Sequence, residues 1–174
     1  MIVSHEHRFI FIKTRKTAGT SIEISLSKYC GPNDIITPIA EVDEKIRESL
    51  GHKGPQNYKI NETKLLNNLF LILGFKSKEH YNHSPAKLIR ERIGISYFNS
   101  NFKFCVVRNP WDRVVSLYYW RLNRPNAKLP KNTSLADFIK KSKTNELTDS
   151  HIYTIDQMSV IDRFIKYENL SMEL

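Results

Sequence analysis

The chain has 174 residues, a length typical of a single domain that buries its own core. Its 27 lysines and arginines exceed its 18 acidic residues and give a net charge of +9. Such an excess favours a polyanionic partner, whether nucleic acid, acidic lipid, acidic polysaccharide or a phosphorylated nucleotide. The longest apolar run, residues 69–75, is too short to cross a bilayer, which excludes a transmembrane helix there.

Cysteine usage and the first residues indicate where the protein works. Cys30 and Cys105 lack the spacing of a metal site, and Cys105 lies in an apolar run, which predicts a buried free thiol in a reducing compartment. Charged and histidine residues interrupt the segment from Ser4 to Arg8, so it lacks the pattern of a signal peptide. We therefore expect a soluble cytoplasmic protein and, since no repeat or linker divides the chain, one domain over residues 1–174.

The first predicted unit is a buried strand, a loop and a helix. Residues 9–12 (FIFI) are β-branched and aromatic, as in a central strand, and the basic loop KTRKTAGTS follows at residues 13–21. A helix is then predicted up to Gly31, with Thr20 and Glu23 as a capping box at its start. Its apolar positions are Ile22, Ile24, Leu26 and Tyr29. This arrangement directs backbone N–H groups and the positive helix end toward an anion.

The middle of the chain is harder to interpret. Residues 31–80 are predicted to form a surface excursion, with one short helix around residues 41–50. Beyond it, Ser84 is predicted to cap a helix whose first residue is Pro85 and which Gly94 ends.

The last third repeats the alternation of strand and helix. Residues 102–107 (FKFCVV) predict a second central strand, and Pro110 predicts the start of the helix after it. A short helix at residues 134–141 and a strand at residues 160–168 follow. This pattern predicts an α/β fold, a P-loop-like three-layer α/β/α arrangement with a central parallel β-sheet. Ligands of such sheets bind at the carboxyl ends of the strands. The basic loop at residues 13–21 and a second basic segment that begins at Arg108 both follow such strand ends.

The first loop has the chemistry of an oxyanion site. Backbone amides of residues 16–21 can surround an anion, with hydroxyls from Thr20 and Ser21, a charge from Lys16 and unrestricted φ at Gly19. The GxxxxGK[ST] pattern of nucleotide triphosphatases is missing, and no strand-end carboxylate is placed for Mg²⁺, so no metal is expected. The alternative is a basic turn that only caps a helix.

The second loop offers an arginine fork and a hydroxyl. Arg108 at the strand end and Ser116 in the following helix suit a phosphate monoester, and Arg113 shares or flanks that face. The alternative interpretation leaves the arginines in solvent above a buried stripe. That stripe consists of Trp111, Val114, Leu117 and Tyr118.

Two motifs carry a resemblance to a known family. FIKTRKTAGTSIE (residues 11–23) and FCVVRNPWDRVVSLYYW (residues 104–120) resemble the two donor motifs of the sulfotransferase superfamily, in particular its carbohydrate-type branch (sulfotransferase family 2-like), which has many bacterial members. The segments DIITP, GPQNY, YNHSPAKLIRERIG and DRFIKYENL resemble further blocks of that family in the same order, so the resemblance covers most of the chain. The family usually continues well past the last block, so we expect a short C-terminal part here.

The resemblance implies a donor, a reaction and a set of site residues. The donor would be 3′-phosphoadenosine-5′-phosphosulfate (PAPS), the product 3′-phosphoadenosine-5′-phosphate (PAP), and the acceptor a hydroxyl of a carbohydrate-like molecule, with no metal required. Arg108 and Ser116 would hold the 3′-phosphate, Lys16 would stabilise the leaving oxygen, and His83 is the candidate base, ahead of the other histidines. The 5′-phosphosulfate would be held by Arg15, Lys16, Thr17, Ala18, Gly19, Thr20 and Ser21.

Three other functions remain open from the sequence. A non-catalytic PAP- or PAPS-binding module would keep both motifs without transferring sulfate. A nucleic-acid-binding protein would explain the charge, but the basic residues are scattered and no nucleic-acid motif is present. A nucleotide kinase lacks its GxxxxGK[ST] loop.

Overall fold

A computed structural model of the chain describes residues 1–60, 79–124 and 129–173. The strands are β1 (Ile2–Ser4), β2 (Phe9–Phe11), β3 (Ile35–Ile36), β4 (Phe102–Val107), β5 (Thr154–Ile155), β6 (Met158–Ser159) and β7 (Arg163–Lys166). The helices are α1 (Gly19–Ser27), α2 (Glu41–Ser49), α3 (Ala86–Ile93), α4 (Ile95–Ser100), α5 (Pro110–Asn123), α6 (Leu135–Lys141), α7 (Thr144–Leu147), α8 (Ser150–Tyr153) and α9 (Leu170–Glu173), with a 3-10 turn at Tyr167–Asn169. In these three ranges no helix has the length and apolar character needed to span a membrane.

The central sheet is mixed, with a parallel half that carries both basic loops. Its strand order is β3-β1-β2-β4-β7. Strands β2, β4 and β7 are parallel, with Phe11 opposite Phe104 and Val107 opposite Lys166. Strands β1 and β3 run antiparallel to their neighbours. The expectation of a parallel sheet is therefore confirmed for β2, β4 and β7, and wrong for the edge formed by β1 and β3.

Helices cover both faces of this sheet because its strands are apolar on both sides. Alternate side chains along each strand belong to two separate core clusters. One face packs against α3 and α4 through Val3, Ile10, Cys105, Ile89 and Phe98. The other face packs against α1 through Ile2, Phe11, Val106, Ile165 and Ile22. The three layers place the carboxyl ends of β2, β4 and β7 at one edge.

Several predicted elements agree with the structure. The strand at residues 102–107 and the helix that begins at Pro110 are confirmed, as are the helix near residues 41–50 and the buried free thiol of Cys105. The prediction of a surface excursion over residues 31–80 is wrong for β3, which joins the central sheet and in which Ile36 is fully buried. The apolar run at residues 69–75 lies outside the described residues, and the expectation of a single domain stays a prediction.

Two predicted helix starts are wrong. Helix α3 begins at Ala86 and Pro85 is its N-cap, because the Ser84 hydroxyl donates to the Tyr81 carbonyl instead of capping the helix. The capping box at the start of α1 is also absent. Ala18 is the N-cap of α1 and no side chain caps it.

Candidate functional site

The three parallel strands deliver three segments to one edge of the sheet: the basic loop after β2, Arg108 after β4 and the 3-10 turn after β7. The Arg108 guanidinium contacts both neighbours. Its Nη1 donates to the Lys16 carbonyl at 3.3 Å, and its central carbon lies 4.3 Å from the ring centroid of Tyr167. Beside it, Glu168 accepts a hydrogen bond from the Asn109 amide at 2.7 Å. The structure thus brings both predicted anion-binding loops together.

The basic loop has a backbone shaped by two left-handed residues. Lys16 has φ 63° and Ala18 has φ 57°, whereas Thr17 between them is not left-handed. Such alternation is typical of backbone concavities whose N–H groups converge on an anion. Helix α1 begins next, and its first N–H groups have no acceptor within the helix. The loop and the helix end together can donate several hydrogen bonds to one oxyanion.

Two threonines fix the loop to the sheet. The Thr14 hydroxyl donates to the carbonyl of Val106 in β4, and its oxygen lies 2.9 Å from the Thr17 hydroxyl oxygen. Thr17 is 1% exposed. Its hydroxyl is therefore used inside the fold and shapes the loop, whereas Thr20 is half-buried and Ser21 is exposed.

Gly19 is needed for a reason other than the predicted one. Its φ is not positive, so the expectation that it supplies unusual backbone freedom is wrong. A Cβ at Gly19 would instead lie 2.8 Å from Cγ of Lys13 and 3.1 Å from its Cε. The glycine lets α1 begin directly over the buried lysine side chain.

Below the loop lies a buried ionic cluster. Lys13 Nζ lies 2.8 Å from Glu23 Oε2, and Arg47 and the Met1 amine also face this carboxylate, at 3.8 and 2.9 Å. Burial raises the pKa of Glu23, but the neighbouring positive charges outweigh it and hold that pKa below its usual range. Glu23 is thus a structural anion beneath the loop.

A cleft beside the loop joins the two motifs. Its volume is about 440 Å³, and it is lined by Lys16, Ser116, Tyr119, Trp120, Asn123 and Arg124. Ser116, Tyr119, Trp120 and Asn123 lie on one face of α5, at helical spacings of three and four residues, and Arg124 follows directly after the helix. Lys16 Nζ lies 5.4 Å from the ring centroid of Trp120, and Arg124 approaches the same ring at 5.0 Å. Burial, and then the charge of Arg108, lower the pKa of Lys16.

A second, mostly apolar groove runs along α1. It has a volume of about 830 Å³ and is lined mainly by α1 and the segment after β7. Ala18 and Ser21 contribute from the loop and helix start, Ile22 from α1, and Tyr167 and Leu170 from the opposite wall. Tyr167 therefore borders the groove and also contacts Arg108.

Arg15 and Arg113 converge on a carboxylate that the sequence did not point to. Asp149 Oδ2 accepts the Arg15 backbone N–H at 2.8 Å, and its Oδ1 lies 2.7 Å from Arg15 Nε and 3.3 Å from Arg113 Nη1. The Arg15 side chain is thus bound to Asp149 and does not line the Lys16 cleft, and the expectation that it binds the donor stays a prediction.

The interpretation of α5 as an apolar stripe with solvated arginines is partly wrong. Arg113 is 5% exposed, and burial, opposed by the Asp149 charge, lowers its pKa. Trp111 is 75% exposed, whereas Val114 and Leu117 are buried as expected.

His83 is anchored to the start of the basic loop. Its Nδ1 lies 3.0 Å from the Lys13 carbonyl. Since a carbonyl only accepts, Nδ1 carries the proton and Nε2 is left with a lone pair. Burial lowers the pKa of His83 below its usual value, although the bond to Lys13 opposes this. His83 is therefore a neutral imidazole near pH 7 whose Nε2 can accept a proton.

The other histidines have less suitable environments. His52 Nδ1 lies 2.9 Å from the Ile24 carbonyl on α1, and burial lowers the pKa of His80 to about 4. His151 is exposed.

Sequence reasoning gave no role to Asp149, Trp120 or Tyr167. Trp120 and Tyr167 lie inside segments that resemble the sulfotransferase superfamily, but the resemblance gives them no function. No sequence pattern points to Asp149, because its partner Arg15 is 134 residues away in the chain. In the described ranges no group of three or more His, Cys, Asp or Glu side chains is arranged for a metal ion.

Comparison with known proteins identifies the family. The sequence profile described as "Sulfotransferase family" matches residues 1–171, so the chain belongs to the sulfotransferase family. This confirms the resemblance of the two motifs and indicates a transferase of sulfuryl groups. The chain is also similar to an uncharacterized protein of Archaeoglobus fulgidus, with 36% identity over 95 residues that cover 52% of this chain and 75% of that protein. No solved structure matches this chain.

Proposed function

We propose that this protein transfers a sulfuryl group from PAPS to a hydroxyl of a carbohydrate-like acceptor. One observation carries the proposal. Lys16 and Ser116, one from each motif, line a single cleft, and the Arg108 guanidinium donates a hydrogen bond to the Lys16 carbonyl. A ligand with two separated anionic groups matches this pairing better than one with a single phosphate.

The residues present fit such a donor. The buried Nε of Arg108 has no hydrogen-bond partner in the described part of the chain, as expected of a group whose acceptor is an anionic ligand. The left-handed loop and the start of α1 supply N–H groups for a second anion in a P-loop-like manner. The apolar groove between α1 and Tyr167 adjoins both and offers room for a nucleoside.

Lys16 is the proposed electrophilic residue. When PAPS is bound, its sulfuryl group is released as the bond to the 5′-phosphate oxygen breaks, and negative charge collects on that oxygen. The Lys16 ammonium would neutralise this charge, and its lowered pKa makes it a readier proton donor to the leaving oxygen. Loop amides and the Thr20 hydroxyl would hold the remaining oxygens.

His83 is the proposed general base. Its Nδ1–H is fixed on the Lys13 carbonyl, three residues before Lys16, which leaves Nε2 to take the proton of the acceptor hydroxyl. The acceptor would enter the same cleft beside the donor, where Tyr119 and Trp120 are 56% and 45% exposed. Exposed aromatic rings in a concave site offer flat apolar surfaces on which a sugar ring can stack.

Transfer of labelled sulfate from PAPS across a panel of hydroxyl acceptors tests this function. We expect wild type to sulfate a saccharide acceptor, Lys16→Met to lose turnover by about 100-fold or more, and Lys16→Arg to keep part of the rate. Binding of PAP, measured by calorimetry, should survive in Lys16→Met. Full turnover by Lys16→Met would overturn the role of Lys16, and binding of PAP without transfer to any acceptor would favour a non-catalytic module.

A further inference from the structure

We propose that Asp149 is a positioning residue that sets the distance between the two anion-binding loops. In this role it makes the protein select a nucleotide with two phosphate groups over a nucleotide with one. The inference rests on the proposed nucleotide donor and adds to it the residue that determines this selectivity.

Asp149 holds the first loop directly before its proposed catalytic residue. Its Oδ2 accepts the backbone N–H of Arg15 at 2.8 Å and its Oδ1 accepts Nε at 2.7 Å, so both main chain and side chain are fixed. Lys16 follows with a left-handed backbone. A shift of Asp149 would therefore move the loop at the residue where its anion-binding concavity begins.

The same carboxylate holds the second motif. Its Oδ1 lies 3.3 Å from Nη1 of Arg113, and the carboxylate and guanidinium are each 6% exposed. Arg113 lies three residues, or nearly one turn of α5, before Ser116. Asp149 therefore limits rotation of α5 about its axis, which would carry Ser116 away from Lys16.

The surroundings of Asp149 are built for rigidity. Arg15 Nη2 also donates to the carbonyls of Asn145 and Thr148, at 2.6 and 2.9 Å, and Arg113 Nη2 donates to that of Leu147. The segment from α7 to α8 thus accepts hydrogen bonds from both guanidinium groups. Asp149 is not among the residues that line the Lys16 cleft, so it acts through the two arginines and not by touching a ligand.

Positioning and plain electrostatics predict opposite results when this charge is removed. Without the Asp149 charge, Arg15 and Arg113 would attract any phosphate more strongly, so simple charge predicts tighter binding of every nucleotide. If Asp149 instead fixes the distance between the two loops, its loss weakens binding only of ligands that must contact both loops at once. The affinity gained from the second phosphate contact depends on that distance.

The test compares adenosine 3′,5′-bisphosphate with adenosine 5′-monophosphate by calorimetry at fixed salt. The readout is the ratio of their Kd values, which we expect to favour the bisphosphate by about 100-fold or more in wild type. In Asp149→Asn the ratio should fall by about tenfold or more, while the monophosphate binds as well as before or better. Asp137→Asn removes an equal charge from an exposed site on α6 and should leave the ratio unchanged.

The outcomes separate the inference from the function on which it rests. A wild-type ratio near one overturns the two-phosphate donor itself. A wild-type preference that Asp149→Asn retains, or a loss equal for both ligands, overturns the positioning role. If Asp149→Asn does not fold by thermal melting, Arg113→Lys decides, because it keeps the charge and loses the fork at a residue outside the proposed donor ligands; an unchanged ratio there also overturns the proposal.

Discussion

The ammonium nitrogen of Lys13 lies 2.8 Å from a carboxylate oxygen of Glu23, and both side chains are buried directly under the basic loop. Lys13 is the first residue of the basic loop and Glu23 lies in α1, which follows the loop, so the pair connects the two ends of the loop through the core. The loop therefore depends on an ion pair between its own first residue and the helix after it.

Glu23→Gln should lower the free energy of unfolding by about 3 kcal/mol, because Lys13 would keep its buried charge without a paired counter-charge, whereas Arg47 would retain Glu44. Urea denaturation monitored by circular dichroism measures this change. Lys45→Ala is the control, since its ion pair with Glu41 is exposed and should contribute nothing measurable. Equal midpoints for Glu23→Gln and wild type would show that the cluster is not structural.

Gly19→Ala should destabilise the fold by about 1–3 kcal/mol, although alanine is the better helix former. The new Cβ would lie 2.8 Å from Cγ of Lys13, whose side chain cannot move away while it is bound to Glu23. The cost should shrink in a Lys13→Ala background, where that side chain is shortened. Gly54→Ala, which meets no atom within 4 Å, is the matched control in the same denaturation experiment.

The sequence predicts the parts of this site that depend on local pattern. Apolar runs at residues 9–12 and 102–107 indicate central strands, and a proline at position 110 indicates the start of α5, which is enough to place both loops at one sheet edge. Long-range contacts were not predictable. Asp149 holds Arg15 across 134 residues, and Glu23 follows the spacing of a capping box while its carboxylate binds buried cations.

Tyr167→Leu should weaken binding of adenosine 3′,5′-bisphosphate by about fivefold, since the Tyr167 ring supports the Arg108 guanidinium at 4.3 Å. Tyr167→Phe keeps the ring and should bind like wild type. In an Arg108→Ala background the leucine substitution should cost less, because the cation that the ring supports is gone and only its contact with the nucleoside groove remains. Calorimetry of the four variants measures this coupling, and additive losses would contradict it.

His83 should determine the acidic limb of the rate profile. Because burial holds its pKa below the usual value near 6.5, kcat/KM should rise with pH with a midpoint below that value and level off once the imidazole is neutral. His83→Asn can still donate to the Lys13 carbonyl but cannot accept a proton, and should lose about 100-fold or more in kcat. His52→Asn, which changes another histidine bound to a carbonyl, should retain the wild-type profile.

The left-handed backbone of Lys16 has a consequence for how this protein tolerates change. A lysine at φ 63° costs about 1–2 kcal/mol relative to a relaxed backbone, a cost that glycine does not incur. Lys16→Gly should therefore melt at a higher temperature than Lys16→Ala, although we expect both to be inactive. Selection for stability alone would replace this lysine with glycine, so a thermostability screen run without an activity assay would enrich inactive variants at position 16.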